Sequence, residues 1–283
     1  TAPPGRRYTD ADLAGLLAPP EPRPGPGRAG GGPPAGGPQG ARGNAARRMQ
    51  FLKDEGALLV LTPGGRGQWG VIVATSAGSR ELKEAPPLPA VAIAAEQYNR
   101  VYRLLEKKIP VRLEFNVEAR LIDEPTDSVN VIAEIPGGRK KNEVVMLGAH
   151  LDSWTGGTGA ADNAAGCAIM MEAMRILKTL NFKMDRTVRM ALWSAEEQGL
   201  LGSRAYVTEH FADRATMALK PEHARLSGYF NIDNGSGKLR GVYLQGNDMI
   251  RPVFEAWIEP FKDMGLTTLT IRNTSGTDHL SFD

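Results

Sequence analysis

The chain has 283 residues, enough for one large domain or two ordinary ones. Its apolar fraction of 41% and charged fraction of 23% are those of a globular protein, and a net charge of +2 is too small to argue for a nucleic-acid partner or an anionic membrane surface. The single cysteine, Cys167, excludes an internal disulfide and any multi-cysteine metal site, and no apolar run approaches the roughly 20 residues that span a bilayer.

Residues 1–44 hold 10 Pro and 11 Gly and are expected to form a flexible segment, because so many backbone breakers leave little apolar surface to bury. The exception is YTDADLAGLL, where Thr9 is placed to cap one short helix. From Ala45 the texture changes. AARRMQFLKDEG reads as a helix closed by Gly56, ALLVLTP, WGVIVATS and PAVAIA as strands, and AAEQYNRVYRLLEKK as a helix. VRLEFNVEARLI alternates apolar and polar residues, which predicts a half-exposed strand. Residues 45–118 therefore read as a small α+β domain, without a chemically loaded cluster.

A second rhythm runs over residues 119–283. SVNVIAEIPG and EVVMLGAH are predicted strands around a solvated Arg139-Lys140-Lys141 turn, and the run Val144–Leu147 suits a sheet covered on both faces. AAGCAIMMEAMRILKTL is a predicted helix in which Cys167 acts as a small hydrophobe. Strand RTVRMALWS, helix EEQGLLGSRAYVTEHF, strands GYFNID and GVYLQG, and helix MIRPVFEAWIEPFKDMG follow. This alternation predicts an α/β fold with helices on both sheet faces.

His150 and Asp152 follow the strand EVVML, Asp162 precedes the next helix, Glu196 and Glu197 follow VRMALWS, and Asp233 ends YFNI. His150 with Asp152 alone is as readily a polar turn as a metal site. Three strand ends and a helix start converging on imidazole and carboxylates are more than turn chemistry requires, and such edges are where open α/β sheets build their sites. Imidazole plus carboxylate without thiolate suits Zn²⁺ or a similar divalent ion, and crowded carboxylates need cations to neutralise them. GGTG at 156–159 lacks the Gly-Lys-Ser/Thr ending of a phosphate loop and reads as a loop beside the metals. His210 and His223 read as surface residues. No G-x-S-x-G elbow is present to suggest a serine hydrolase.

HLDSW, GAADNAAG, WSAEEQGLLGS, NIDNG and TDHLSF together resemble the motif series of the co-catalytic zinc exopeptidases, the group of bacterial leucyl aminopeptidases, carboxypeptidase Q and glutamate carboxypeptidase. The resemblance covers about Asp127 to Asp283, and PAVAIAAEQYNRVYRLL within 45–118 resembles a protease-associated domain. It implies a three-layer α/β/α peptidase domain using two Zn²⁺ ions. His150 and Asp233 would ligate one ion, Asp162 would bridge both and Glu197 would ligate the second. Glu196 would be the general base, and Asp152 would hydrogen-bond the His150 imidazole. The resemblance also implies that the peptide after Asp162 is cis, as it often is in this family, a peptide substrate, and a secreted or periplasmic location. The family's last ligand, a His beyond TDH, is expected downstream of Asp283, and the chain is expected to be a C-terminally truncated piece. An aminopeptidase is the first expectation and a carboxypeptidase Q-like dipeptidase the second, with Arg272 a candidate for meeting a substrate carboxylate. A one-zinc glutaminyl cyclase and a non-catalytic receptor-like binding protein share the fold, but the filled ligand positions argue against both. Trp154 and Trp193 are equally suited to line a cleft or to pack the sheet.

Overall fold

A computed structural model describes residues 9–17, 47–63, 72, 88–118, 127–154, 156–233 and 237–283. These fall into two compact units, one holding 47–118 and the other 9–17 with 127–283. In chain order the helices are α1 (Asp10–Leu17), α2 (residues 47–54), α3 (Ala95–Glu106), α4 (Ala165–Leu180), α5 (Leu201–His210) and α6 (Arg251–Ile258). The strands are β1 (Val60–Pro63), β2 (Ala90–Ile93), β3 (Val131–Ile135), β4 (Lys140–His150), β5 (Arg186–Trp193), β6 (Ala212–Asp213), β7 (Ala218–Leu219), β8 (Leu226–Asn231), β9 (Gly241–Tyr243) and β10 (Thr268–Thr270).

In the first unit β1 and β2 pair in parallel and α3 follows β2. The expected strand WGVIVATS lies almost wholly outside the described residues. The expected strand at 111–122 is not formed over its described part, 111–118. Leu113 and Val117, which alternation would bury, are both about half exposed.

In the second unit the described strands form a sheet ordered β3-β5-β4-β8, with β3 antiparallel to β5 and the other pairs parallel. Helices cover both faces. Val144, Met146, Ala191 and Trp193 pack against Tyr206 and Val207 of α5 on one side, and Ala149, Val188, Met190 and Leu192 pack against Met170 and Met174 of α4 on the other. Neighbouring strands contribute residues of matching parity, as the β4–β5 register Leu147↔Met190 requires. The sequence-predicted three-layer α/β/α arrangement is present. Gly148 is needed because a Cβ there would overlap Tyr229 Oη. β9 and β10 form a second parallel pair covered by α6 through Leu244, Ile258 and Leu269.

α1 belongs with this second unit. Thr9 and Asp12 cap it reciprocally, with the Asp12 amide donating to Thr9 Oγ1 at 3.2 Å and the Thr9 amide donating to Asp12 Oδ2 at 2.7 Å. Two predicted helices are shorter than expected. α5 begins at Leu201 rather than Glu196, because Ala195, Gly199 and Leu200 all have positive φ. The helix predicted from Met249 to Gly265 tightens to a 3₁₀ turn at Glu259–Phe261, where Pro260 removes an amide donor. β10 and the β6–β7 hairpin were not anticipated.

Candidate metal centre

β4, β5 and β8 are adjacent, and their carboxyl ends lie side by side, with His150 in register with Trp193 and Gly148 with Asn231. The ladder extends past the strands through the Leu151 amide to the Trp193 carbonyl (2.7 Å) and the Ile232 amide to the Gly148 carbonyl (3.0 Å). His150, the Glu196–Glu197 pair and Asp233 are thus held at one sheet edge by backbone pairing.

His150, Asp162 and Asp233 come together there, with one ligand atom from each within 4.8 Å of the others. His150 Nε2 lies 2.9 Å from Asp162 Oδ1 and 3.7 Å from Asp233 Oδ1. The other ring nitrogen, Nδ1, is 3.0 Å from the Asp152 main-chain carbonyl. A carbonyl can only accept, so Nδ1 carries a hydrogen and a neutral ring turns the Nε2 lone pair toward two carboxylates. Acceptors facing one another this closely repel unless a cation stands between them. Either a proton on Nε2 or a divalent ion fills that need, and the imidazole–carboxylate set is one that zinc accepts. The residues present fit the metal.

Electrostatics carries the same message. Burial opposes charge on His150, but the nearby Asp233 carboxylate, with the charges of Glu196 and Asp152, outweighs it and raises the imidazole to about 9. Burial raises Glu196 to about 8, against the His150 charge and with help from Asp233, Asp278 and Glu197. Glu197 is raised by burial and then by Asp162. So much uncompensated negative charge is what a cation would relieve.

Asp152 sits differently from the sequence expectation. Its carboxylate Oδ1 is 3.6 Å from His150 Nδ1, while its main-chain carbonyl takes the closer contact. The carboxylate instead accepts the Glu196 amide at 3.0 Å and the Glu197 amide at 3.2 Å. It fastens the loop after β4 to the loop after β5.

Asn163, absent from the sequence-derived site, is buried and holds Asp162 in place. Its Nδ2 donates to the Ile232 carbonyl at 2.9 Å, next to Asp233, and its Oδ1 accepts the Gly166 amide at 3.2 Å at the start of α4. The Asp162–Asn163 peptide bond is cis. The signal in sequence was a polar residue directly before an apolar helix.

Glu197 lies with Asp162 on the wall of a cleft of about 260 Å³ that Trp154 and the loop residues Gly157–Ala161 complete. Among the described residues it does not join the three-donor group of His150, Asp162 and Asp233. Trp193 is fully buried and packs the sheet, whereas Trp154 is 49% exposed. His279 contacts Thr277 through one ring nitrogen and Gln245 through the other. Asp278 is 1% exposed; Ser203 donates to its Oδ1 at 2.5 Å, and among the described residues its Oδ2 has no hydrogen-bond partner. Arg272 Nη2 donates to the Gly15 carbonyl of α1 at 2.8 Å. His210 is half-buried, its ring tilted against Tyr206 with centroids 4.3 Å apart and paired with Glu222, rather than a free surface residue.

The pattern of peptidase family M28 matches residues 130–283. Carboxypeptidase Q of Mus musculus is 32% identical over 195 residues, 68% of this chain and 39% of that protein. Leucine aminopeptidase 2 of Trichophyton equinum is 38% identical over 163 residues, 54% of this chain and 31% of that protein. Among solved structures, a peptidase M28 precursor from Shewanella amazonensis superposes with a TM-score of 0.64 at 30% identity, covering 85% of this chain and 52% of that one. The chain thus spans about two fifths of the length of carboxypeptidase Q.

Proposed function

The chain belongs to peptidase family M28, and on that premise we propose that the protein is a two-zinc exopeptidase that hydrolyses a terminal peptide bond, an aminopeptidase in the first reading. The observation that carries this is the His150 lone pair directed at Asp162 and Asp233, with Nδ1 occupied by a carbonyl. In this reading His150, Asp162, Asp233 and Glu197 would hold the two ions. When bound, the zinc ions acidify a water molecule and polarise the scissile carbonyl.

The chain's own residues do the rest. Glu196 accepts the proton of the attacking water and returns it to the departing amine. Asp152 holds Glu196 and Glu197 by their amides, so that adjacent side chains serve separate roles. The main-chain carbonyl of Asp152 fixes the His150 tautomer. Asn163 ties the Asp162 turn to the segment that carries Asp233.

A carboxypeptidase Q-like dipeptidase is the second reading, favoured by the match to carboxypeptidase Q over 68% of this chain against 54% for the leucine aminopeptidase. A non-catalytic receptor-like role is the third. The resemblance of residues 45–118 to a protease-associated domain supports reading them as a companion domain of the peptidase. We place the protein outside the cytoplasm, secreted or periplasmic, as the family resemblance suggests. No described helix is long and apolar enough to cross a membrane.

The test uses the full-length protein. Aminoacyl-nitroanilides and dipeptides are assayed before and after chelation, with metal content measured in parallel. Chelator-sensitive hydrolysis restored by zinc supports the proposal, and preference for one substrate set separates the first two readings. Hydrolysis indifferent to chelation rules out the mechanism, and metal binding without hydrolysis favours the receptor-like role.

A further inference from the structure

Gln245 follows β9 with φ +50°, a conformation that glycine adopts freely and a residue with a Cβ rarely does. A long side chain kept in that position points to a task that glycine could not perform. Its amide brackets one residue of the segment after β10: Oε1 accepts the Thr274 amide at 2.7 Å, and Nε2 donates to the Thr274 carbonyl at 3.2 Å. These two contacts fix which end of the Gln245 amide is oxygen, and the second Nε2 hydrogen then faces His279 Nε2. His279 Nε2 must hold a lone pair to receive it. The ring hydrogen therefore sits on Nδ1 and is donated to Thr277 Oγ1.

A second line of hydrogen bonds reaches the same oxygen from the core. Trp193 Nε1, which can only donate, gives to Tyr229 Oη at 2.7 Å, and the Tyr229 hydroxyl gives to Asn231 Oδ1 at 2.6 Å. Asn231 Nδ2 is left to donate to Thr277 Oγ1 at 3.2 Å. The two lines meet on the lone pairs of Thr277, which is 2% exposed. Asn231 ends β8 two residues before Asp233, and Ile232 between them is pinned by its amide to the Gly148 carbonyl and by its carbonyl to Asn163. We propose that Gln245 is a positioning residue for the metal centre: by bracketing Thr274 and donating to His279 it holds the imidazole as the Nδ1–H tautomer and, through Thr277 and Asn231, steadies the end of β8 that carries Asp233. This rests on reading Asp233 as a metal ligand.

The test uses the metal-free, full-length protein with isotope-labelled histidine, and nuclear magnetic resonance of the imidazole nitrogens reads the tautomer of His279. Wild type should show hydrogen on Nδ1 and a bare Nε2. Gln245→Glu puts a carboxylate oxygen where the amide donated, so Nε2 should gain a hydrogen, a change that loss of packing alone would not cause. Zinc titration by calorimetry supplies the second readout: one of the two binding steps should weaken roughly tenfold or more in Gln245→Glu and in Gln245→Met, which lacks the amide altogether. Hydrogen on Nε2 in wild type, a tautomer indifferent to Gln245→Glu, or unchanged zinc affinity in both variants overturns the proposal. The wild-type tautomer is decisive even where a variant does not fold. A wild type that binds no zinc sinks the two-zinc reading and this proposal with it, whereas normal wild-type binding that survives in both variants sinks this proposal alone.

Discussion

Removing the Asp152 carboxylate tests whether the loops after β4 and β5 are held by one side chain. The carboxylate accepts two amides, from Glu196 at 3.0 Å and Glu197 at 3.2 Å, and its side chain is 18% exposed. Hydrogen bonds to a charged acceptor contribute about 1.5–3 kcal/mol each. Asp152→Asn keeps one acceptor and turns an amide donor toward the other N–H, so the variant should lose about 3 kcal/mol of local stability. Hydrogen exchange on the metal-free protein reads this directly. The Glu196 and Glu197 amides should exchange about a hundredfold faster, since about 1.4 kcal/mol corresponds to a factor of ten, while the β4–β5 ladder amides around Val188 and Met190 slow or hold. Zinc affinity should fall roughly 10- to 100-fold with it, as for other residues that orient ligands. Unchanged exchange at those two amides would refute the clamp, whatever happens to activity.

Gly148→Ala drives a Cβ into Tyr229 Oη, which accepts from Trp193 at 2.7 Å and donates to Asn231 at 2.6 Å; denaturant unfolding should show a loss of about 3 kcal/mol, the upper end for overpacking. Asp278 has its carboxyl raised from 3.8 to about 6, chiefly by burial, against the Ser203 hydrogen bond and the His150 charge. The folded state then binds the extra proton between those values, so stability of the metal-free protein falls as pH rises from about 4 to 6, by about 3 kcal/mol. Asp278→Asn should flatten that fall in urea titrations, and an unaltered slope contradicts the assignment. Arg272→Ala should expose α1 to limited proteolysis, because its guanidinium donates to the Gly15 carbonyl. A selective rise in KM for substrates with a free carboxylate would instead return Arg272 to the substrate.

The parts of the site that follow from strand ends were legible: His150, Glu196, Glu197 and Asp233 all stand where an apolar run stops, and such runs mark the sheet edge from sequence alone. The resemblance of the motif series to the zinc exopeptidases agrees with the family match over 130–283. What sequence did not reveal depends on contacts between distant residues. Asp152 grips amides 44 and 45 positions away, and nothing local distinguishes it from an acid aimed at His150 two residues back. Asn163 reaches Ile232 across 69 positions. Trp154 and Trp193 are chemically alike, and only packing sends one to the core and the other to the cleft. The late start of α5 was illegible for a related reason, since Glu196 to Leu200 have helical composition but are bent by positive φ and held by Asp152. Residues 111–118 show the converse, a pattern with strand period whose described residues form no strand.

The central claim is that imidazole and carboxylates at one sheet edge are assembled to hold a pair of divalent ions. Zinc titration of the metal-free, full-length protein by calorimetry, repeated on His150→Ala and Asp162→Asn, tests it most directly. Two zinc ions per chain are expected for wild type, one in His150→Ala, and weak binding of both in Asp162→Asn. Wild-type stoichiometry and affinity surviving in both variants would contradict the account.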